Sequence, residues 1–395
     1  MGDLAPRSRG NRMPPLETPP PHLGLDGFLS AQDPRPEALH ALRGWLLLQA
    51  SLCLSPIRAM ECLSASSGDP HEALKISRQS HGASREQLND WIQKLAKRQI
   101  RILPVTSVAY PLSLRTLPDP PPVLMVRGQN FETHRPLVAI VGARAASQYG
   151  LAVAESLGRG LAAAGVIVVS GLARGIDGAA HRGALDAGST WAVLGCGLDV
   201  TYPREHSRLA DRIAMEGSLV SELPLGHPPA ALHFPLRNRI ISGLVQSVIV
   251  VEARPRSGSL ITARHALSQG REVLVVPGDI DSPTSKGTNA LLRDGAKPVL
   301  NVQDVLETLS LPELKTSFPK APSPESETSS PTDPNQKKIL HVLRHESLDR
   351  DALQRRLTVP ARMLALHLVE LEIAGWICQE RNGQFRIAPA RSLRQ

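Results

Sequence analysis

Aromatic side chains are scarce in this chain, where Phe, Trp and Tyr make up 3% of 395 residues. Any surface that stacks nucleic-acid bases must therefore rely on very few rings. The cysteines are also few and show neither a CxxC pair nor the His/Cys spacing of a zinc site. Their scatter predicts no metal site and no disulfide framework, and reduced thiols favour a cytoplasmic location. The cysteines are Cys53, Cys62, Cys196 and Cys378.

The usual nucleotide-binding motifs are missing as well. Gly142 is followed by the next glycine only at Gly150, which breaks the GxGxxG spacing of a dinucleotide-binding loop. No GxxxxGK(S/T) segment occurs, which argues against ATP hydrolysis by a P-loop. We therefore expect no small-molecule cofactor. No apolar run approaches the roughly 20 residues of a membrane span, so no membrane partner is expected either.

Composition and hydrophobic periodicity divide the chain into five segments. Residues 1–36 are rich in proline and are predicted to be a disordered tail, whereas residues 37–105 have the apolar spacing of a helical domain. Residues 106–310 form the central segment, in which strand patterns alternate with helical patterns from Pro136 onward. The stretch from Ile102 to Gly128 is broken by prolines and predicts an extended connector with one short strand. Residues 311–335 are rich in Pro, Ser, Glu and Thr and predict a flexible linker. Residues 336–395 combine three helical patterns with a hairpin signal, which predicts a winged-helix domain.

The central segment predicts an α/β fold, an extended Rossmann-like doubly wound sheet whose strands are mainly parallel. Ligands of such sheets bind at the carboxyl ends of the strands. Residues 136–310, which hold the predicted strands, are nearly neutral, with 16 basic and 15 acidic side chains within a net charge of +8. Binding of a polyanion therefore requires the arginines of this region to gather on one face. The predicted strands are Val138–Val141, Val166–Ser170, Trp191–Leu194, Leu219–Ser221, Ser247–Val251 and Val273–Val276.

The most informative loop has the sequence SGLARGID and runs from Ser170 to Asp177 after a β-branched strand. Ser170 and Gly171 allow a ligand to approach the backbone closely. Arg174 adds a positive charge, and Gly175 keeps the turn open. Asp177 is expected to be the N-cap of the helix that follows. A strand, exposed amides, an arginine and a helix start together predict an anion site.

A catalytic role is the alternative for this loop. Asp177 could act as a general base, with His181 one helical turn later as its partner. A lone histidine at helical spacing is more often a packing residue, and we favour that interpretation. Cys196, in the sequence GCG, is likewise expected to be a small buried residue rather than a nucleophile.

A second strong signal is the sequence FPLRNRIISGL, which begins at Phe234. Arg237 and Arg239 flank an asparagine at the start of an apolar helix pattern. A ring beside two arginines suits base stacking next to phosphate contacts. The alternative is that the arginines form ion pairs with Glu222 or Glu252.

Two further loops follow predicted strands. Gly142 and Arg144 come after the first strand, and Arg254 and Arg256 come after the fifth, ahead of a Ser-Gly pair. Because the carboxyl ends of parallel strands lie at one edge of a sheet, the loops are expected to form one arginine-lined groove.

The chain resembles the DNA-processing protein A family, also called DprA or Smf, in the sequences VAIVGAR, SGLARGIDGAAHRGAL, GLDVTYP, FPLRNRIISGL, SGSLITARHAL and VVPG. The resemblance extends from about Ile102 to Leu309. It implies a protein that binds single-stranded DNA, forms a homodimer and loads the recombinase RecA onto incoming strands in natural transformation, without catalysis. The residues expected to bind the strand are Gly142, Arg144, Ser170, Gly171, Arg174, Gly175, Arg204, Phe234, Arg237, Asn238, Arg239, Ser257 and Gly258.

The chain departs from the family pattern at three positions. Ala143 stands where many relatives carry Ser or Thr, Ala231 where some carry Lys, and His206 where Asn is common. The predicted recognition helix of the winged-helix domain carries Arg362 against two glutamates, a composition that suits a major groove poorly. We therefore expect an interaction or auxiliary role for that domain.

The rival interpretation is a nucleotide-processing enzyme on the same scaffold, similar to the nucleoside-monophosphate phosphoribohydrolases. Those enzymes carry a Pro-Gly-Gly-x-Gly-Thr-x-x-Glu segment with a catalytic glutamate. Here Pro277-Gly278 lies far from Gly287-Thr288, and Leu291 stands where the acid is required. We therefore expect no catalytic residues.

Overall fold

The computed structural model describes residues 27–78, 83–128, 135–309, 333–343, 346–357, 359–379 and 383–387. The chain divides into two compact units, the first ending at Thr316 and the second beginning at Ser317. None of the helices within these described ranges is long and apolar enough to cross a membrane.

The first unit is built around one sheet of ten strands. In sheet order these are β1, β2, β3, β7, β6, β5, β4, β8, β9 and β10, counted along the chain as β1 (Leu29–Ser30), β2 (Ile100–Pro104), β3 (Val123–Gly128), β4 (Leu137–Val141), β5 (Ile167–Ser170), β6 (Thr190–Val193), β7 (Ser218–Ser221), β8 (Ser247–Val250), β9 (Glu272–Val275) and β10 (Lys297–Pro298). Strands β4 to β10 pair in parallel, and β1, β2 and β3 pair antiparallel at one side, with β3 against β7. This order confirms the doubly wound, mainly parallel sheet.

Each predicted strand is present, and its ends differ by no more than one residue from those expected. The strands are apolar on both faces because helices cover both sides of the sheet. In β4, Val138 and Ile140 pack into the core on one face, whereas Ala139 and Val141 pack into the core on the other. The period of two in a strand thus divides one apolar run between two cores.

Helices connect the strands and cover the sheet. They are α1 (Pro36–Leu52), α2 (Pro56–Ala65), α3 (Pro70–Ser77), α4 (Arg85–Arg98), α5 (Leu112–Arg115), α6 (Gln148–Ala163), α7 (Ile176–Leu185), α8 (Ser207–Glu216), α9 (His233–Leu244), α10 (Gly258–Ser268), α11 (Lys286–Arg293) and α12 (Val302–Thr308), with a 3₁₀ turn at Arg204–His206. Side-chain caps fix several starts: Ser84 and Gln87 form a capping box at α4, and Ser147 caps α6 by accepting from the Gly150 amide.

The helical region at the start of the chain shares a core with the sheet. Leu42 and Trp45 of α1 belong to the same buried cluster as Val193 of β6 and Val220 of β7. The Gln49 side chain of α1 also donates a hydrogen bond to the Glu222 carbonyl oxygen at 2.9 Å. These helices therefore help to hold the sheet that carries the loops described below.

Two expectations for the region before the parallel strands are wrong. The predicted disordered tail reaches residue 36, yet Phe28 and Leu29 are buried and β1 pairs with β2. The following segment, predicted as a connector with one short strand, supplies both β2 and β3 to the sheet. Proline-rich flanks conceal these strands, because their stability comes from pairing with distant strands rather than from local pattern. The rest of the predicted tail lies outside the described residues.

In its described residues, the second unit contains three helices and a strand pair. They are α13 (Pro334–Leu343), α14 (Arg350–Arg356), α15 (Ala361–Ile373), β11 (Ile377–Gln379) and β12 (Phe385–Ile387). The two strands are antiparallel, and Phe385 also forms a bridge with Leu348. Ile339, Leu353 and Leu364 bring the helices together in a core that also takes in Phe385 of the strand pair. This arrangement confirms the predicted winged helix.

Candidate functional site

A cleft of about 810 Å³ opens at the carboxyl ends of the central strands. The chain leaves β4 toward β5 on one side and returns to β8 on the other, so the loops after β4 and β8 separate there. The lining comes mainly from these two loops, from Ala173, Asp177 and Tyr202, and from the first turns of α9 and α10. A smaller slot with shared walls adjoins it, lined by Gly171, Arg174 and Gly195 among others.

Asp177 shapes the SGLARGID loop from inside the helix that follows. Its carboxylate accepts hydrogen bonds from the Gly171 amide at 3.2 Å and the Ala173 amide at 3.3 Å. Burial raises the pKa of the Asp177 carboxyl above its usual value, although Arg237 and these amides oppose the rise. The Gly171 and Ala173 N–H groups are therefore directed toward Asp177.

The expectation that Asp177 is an N-cap is wrong. The helix begins at Ile176, and Gly175 occupies the cap position with φ +72°. A Cβ on Gly175 would lie 2.2 Å from the Ala143 carbonyl oxygen, so the loops after β4 and β5 touch through this glycine. Asp177 instead lies in the first turn of the helix and accepts hydrogen bonds from amides of the preceding loop, rather than from the first helical amides.

His181 of α7 and Ser170 at the end of β5 are both buried rather than exposed in the cleft. Ser170 donates to the Ile140 carbonyl oxygen at 2.6 Å and so joins β5 to β4. The Nδ1 atom of His181 lies 2.7 Å from the Thr190 hydroxyl, which itself donates to the Val168 carbonyl oxygen. Burial lowers the pKa of His181 to about 3, so the ring is neutral. These contacts fit a packing histidine.

Arg237 is largely buried and forms part of the floor of the cleft. Its guanidinium donates to the carbonyl oxygens of Gly171, at 2.7 Å, and of Val193. A Cβ on Gly171 would lie 2.7 Å from this guanidinium, so only glycine allows the approach. Burial lowers the pKa of Arg237 to about 10, which leaves it charged at neutral pH. Arg237 therefore fixes the ends of β5 and β6 and places a positive charge at the cleft.

Arg239 points away from the cleft. It pairs with Glu222 and, at 3.1 Å, with Asp119, and the Arg239 and Glu222 side chains are buried. Residues two positions apart on a helix lie about 200° apart, so Arg237 and Arg239 must face opposite sides of α9. Burial raises the pKa of Glu222 to about 7, while Arg239 opposes that rise. Ion pairing with Glu222, the alternative from the sequence, is the arrangement that the structure has.

Two aromatic rings stand together at the cleft. Phe234 and Tyr202 have ring centroids 5.5 Å apart and an interplanar angle of 34°. The guanidinium carbon of Arg144 lies 4.9 Å from the Phe234 centroid, and that of Arg237 lies 6.0 Å away. Tyr202 was not predicted as a site residue. The available signal was its position before Pro203, in a loop that follows a predicted strand.

Arg174 stands at the edge of the smaller slot, where it pairs with Glu205. Both side chains are exposed, and the hydrogen bond from Arg174 holds the pKa of Glu205 below its usual value. His206 fastens this 3₁₀ turn to the SGLARGID loop, because its Nδ1 atom bonds the Leu172 carbonyl oxygen at 3.0 Å. Arg204 is exposed on the same turn but does not line the cleft or the slot.

The second wall of the cleft is the start of α10 and the loop before it. Ser257 caps α10 by accepting from the Ser259 amide at 3.3 Å. Asn238 donates to the Gly258 carbonyl oxygen at 3.3 Å and so connects α9 to this wall. Glu252, the other acid weighed as a partner for the arginines, instead accepts from the Ser147 amide at 2.9 Å.

The structure therefore brings together most of the residues expected from the sequence. Those that line the cleft are Gly142, Arg144, Phe234, Arg237, Asn238, Ser257 and Gly258. Gly171 and Arg174 line the smaller slot, and Gly175 supports both loops from below. Ser170, Arg204 and Arg239 lie outside the cleft and the slot.

The chain is similar in sequence to known proteins. The family model for DNA recombination-mediator protein A matches residues 101–310, and the model for the DprA winged-helix domain matches residues 320–383. Protein Smf of Escherichia coli K12 is 42% identical over 302 residues, which cover 74% of this chain and 79% of that protein. DNA processing protein DprA of Bacillus subtilis is 36% identical over 293 residues, covering 68% of this chain and 98% of the relative.

A solved structure is also similar. The X-ray structure of DNA processing protein A from Streptococcus pneumoniae has a TM-score of 0.58 and 35% sequence identity. The match covers 67% of this chain and 95% of the Streptococcus pneumoniae chain. The family-model match over residues 101–310 includes the parallel strands and the loops that form the cleft.

Proposed function

Because this chain belongs to the DNA recombination-mediator protein A family, we propose that it binds single-stranded DNA in the cleft and delivers the strand to the recombinase RecA. The observation that carries the proposal is the pairing of Arg144 with Phe234 in a cleft whose only acidic lining residue, among those described, is Asp177. Asp177 is already bonded to two loop amides. The remaining charge of the cleft is positive, as a polyanion requires.

The two rings explain how bases could be held without a sequence code. Every base has a π face, and stacking on an aromatic side chain contributes roughly 1–3 kcal/mol per base. Phe234 and Tyr202 therefore provide room for neighbouring bases, whereas Phe234 alone would hold one. Arg144 lies against the Phe234 ring and can bond a phosphate from that position.

The residues expected from the sequence take different parts in this proposal. Arg144, Phe234, Asn238 and the cleft-lining glycines and serine are proposed to contact the strand, with Arg174 at the entrance. Arg237, Gly171 and Gly175 are proposed to shape the site, because their close contacts are to protein atoms. Ser170 and Arg239 are proposed to hold the scaffold. The cleft-lining glycines and serine are Gly142, Gly258 and Ser257.

We further propose that the protein acts without catalytic turnover. Asp177 and His181, the alternative catalytic pair, have structural contacts instead. Asp177 accepts a hydrogen bond from the SGLARGID loop, and His181 is buried and neutral. Phosphoribohydrolase activity, the rival function, requires an acid where Leu291 stands. Release of adenine from AMP by the purified protein would support the rival and contradict this proposal.

The family resemblance also leads us to propose a homodimer that acts on incoming DNA in natural transformation. The four cysteines are all free, which fits a reducing cytoplasm. For the winged-helix unit we propose an auxiliary role, since α15 exposes Met363, Leu366 and Val369 rather than a basic face. Tight binding of duplex DNA that depends on α15 would contradict that role.

The delivery step can be tested directly with RecA. The strand is first coated with single-strand binding protein, and RecA filament formation is followed with and without the protein. We expect the protein to speed filament formation, and we expect Arg144→Ala to lose most of that effect. Equal rates with and without the protein would contradict the proposed delivery, even if the protein binds the strand.

A further inference from the structure

Two arginines on the second wall of the cleft are not among the residues to which the proposed function assigns strand contacts. Arg254 and Arg256 lie in the loop between β8 and α10, and both line the cleft that also contains Arg144 and Phe234. Both are exposed. They therefore extend the positive surface of the cleft beyond the ring pair.

Neither arginine side chain has a polar partner within the described residues. Within the described part of the chain, no ion pair or side-chain hydrogen bond involves Arg254 or Arg256, whereas Arg174 pairs with Glu205 and Arg239 pairs with Glu222. An exposed arginine that supports no fold contact contributes little to stability but keeps all five of its donors available. Two such side chains in one cleft are suited to bind phosphates.

Three backbone hydrogen bonds fix the loop that carries these two arginines. The Ala253 amide donates to the Thr284 carbonyl oxygen at 2.7 Å, and the Gly287 amide donates to the Ala253 carbonyl oxygen at 2.8 Å. The Ser257 amide closes the turn by donating to the Arg254 carbonyl oxygen at 2.9 Å. The two side chains thus project from an ordered loop, which lowers the entropy cost of using them to bind a ligand.

We propose that Arg254 and Arg256 form a second phosphate-binding subsite, which holds the part of a single strand that continues past the Phe234 and Tyr202 rings. The ligand is the phosphodiester backbone, so the subsite adds affinity without reading sequence. The inference rests on the proposed function, because it assumes that a single strand lies in the cleft. The subsite also defines the path of the bound strand, which crosses from the ring pair to the wall formed by α10.

The test compares two full-length variants of equal charge. Arg254→Ala/Arg256→Ala removes the subsite, and Lys97→Ala/Arg98→Ala removes two exposed charges from the last turn of α4. Labelled oligothymidylates of about 6 and about 20 nucleotides bracket the span of one binding site. Affinity is measured by fluorescence anisotropy over a series of salt concentrations.

We expect the subsite variant to bind the long strand about tenfold or more weakly than the unmodified protein and the short strand about equally. Its logarithmic salt slope for the long strand should be shallower by about 1.4, since each lost phosphate contact on a single strand accounts for about 0.7. The α4 variant should match the unmodified protein.

An unchanged salt slope in the subsite variant, or an equal loss in the α4 variant, would overturn the subsite. If the unmodified protein bound neither strand, the proposed function would fail and the subsite with it. Binding by the unmodified protein together with an unaltered subsite variant would overturn the subsite alone.

Discussion

The guanidinium carbon of Arg144 lies 4.9 Å from the ring centroid of Phe234, although the two residues are 90 positions apart in the sequence. The loop after β4 carries the arginine, and the first turn of α9 carries the ring. The contact lies where the strand order of the sheet reverses, and the proposed function assigns the arginine to phosphate binding and the ring to base stacking.

Tyr202 should contribute to binding through its ring. Tyr202→Ala is expected to weaken oligothymidylate binding about 5- to 150-fold, since stacking contributes roughly 1–3 kcal/mol per base. Tyr202→Phe keeps the ring and should bind normally. Anisotropy titrations of both variants check this prediction, and equal affinity for Tyr202→Ala and Tyr202→Phe would show that no base stacks there.

Arg239 should matter for stability and not for DNA affinity. Arg239→Ala leaves the Glu222 carboxylate buried without its partner, which is expected to cost about 3–5 kcal/mol of the free energy of unfolding. Adding Glu222→Gln should recover part of the loss. Urea denaturation measures the stability of each variant. Titration of the folded protein with a labelled oligothymidylate measures its DNA affinity. A stable Arg239→Ala protein with weak DNA binding would mean that Arg239 contacts the strand after all.

Glu205 should compete with phosphate for Arg174. The two side chains form an exposed ion pair at the edge of the smaller slot, so a strand must displace the carboxylate before it can use the arginine. Glu205→Gln is expected to raise affinity about two- to fivefold at low salt, where exposed charges are least screened. Glu216→Gln, on α8, is the matched control.

Affinity in the absence of Arg174 distinguishes competition at this ion pair from a general effect of charge. In an Arg174→Ala background, Glu205→Gln should no longer change the affinity. A gain that persists without Arg174 would point to a general charge effect rather than competition at this pair.

His181 should make the first unit less stable in acid. Its pKa is lowered from 6.5 to about 3 by burial, so below pH 6.5 the unfolded chain binds a proton that the folded chain excludes. Its contribution is therefore complete above pH 6.5 and is lost as the pH falls toward 3, by at most ~1.4 kcal/mol per pH unit. His181→Asn keeps a donor for Thr190 and should flatten the dependence. Urea denaturation between pH 7 and pH 4 provides the comparison, and parallel curves would contradict a buried neutral histidine.

Much of the fold was predictable because its signals are local. Each parallel strand is a short β-branched run, and the helices between the strands repeat apolar residues at helical spacing. The strands β1, β2 and β3 were missed or reduced to one, because prolines flank them and their partners are distant in sequence. Local pattern does not carry such pairings.

The loops of the site were predictable, but the direction of each side chain was not. The sequence places Arg237 and Arg239 beside Phe234, yet one bonds carbonyl oxygens under the cleft and the other pairs with Glu222. The sequence also leaves the Gly171 amide available to a ligand, whereas it bonds Asp177. These outcomes depend on which strand ends and acids lie nearby in three dimensions.

The most direct measurement of the central claim is the affinity of the protein for a labelled oligothymidylate, by fluorescence anisotropy across a salt series. The unmodified protein and an Arg98→Ala control should bind saturably and more weakly as salt rises, by about −0.7 in logarithmic slope per phosphate contacted. Arg144→Ala/Phe234→Ala should lose most of the affinity while its thermal unfolding matches the control. Unaltered affinity in that double variant would contradict the assignment of the cleft to single-stranded DNA.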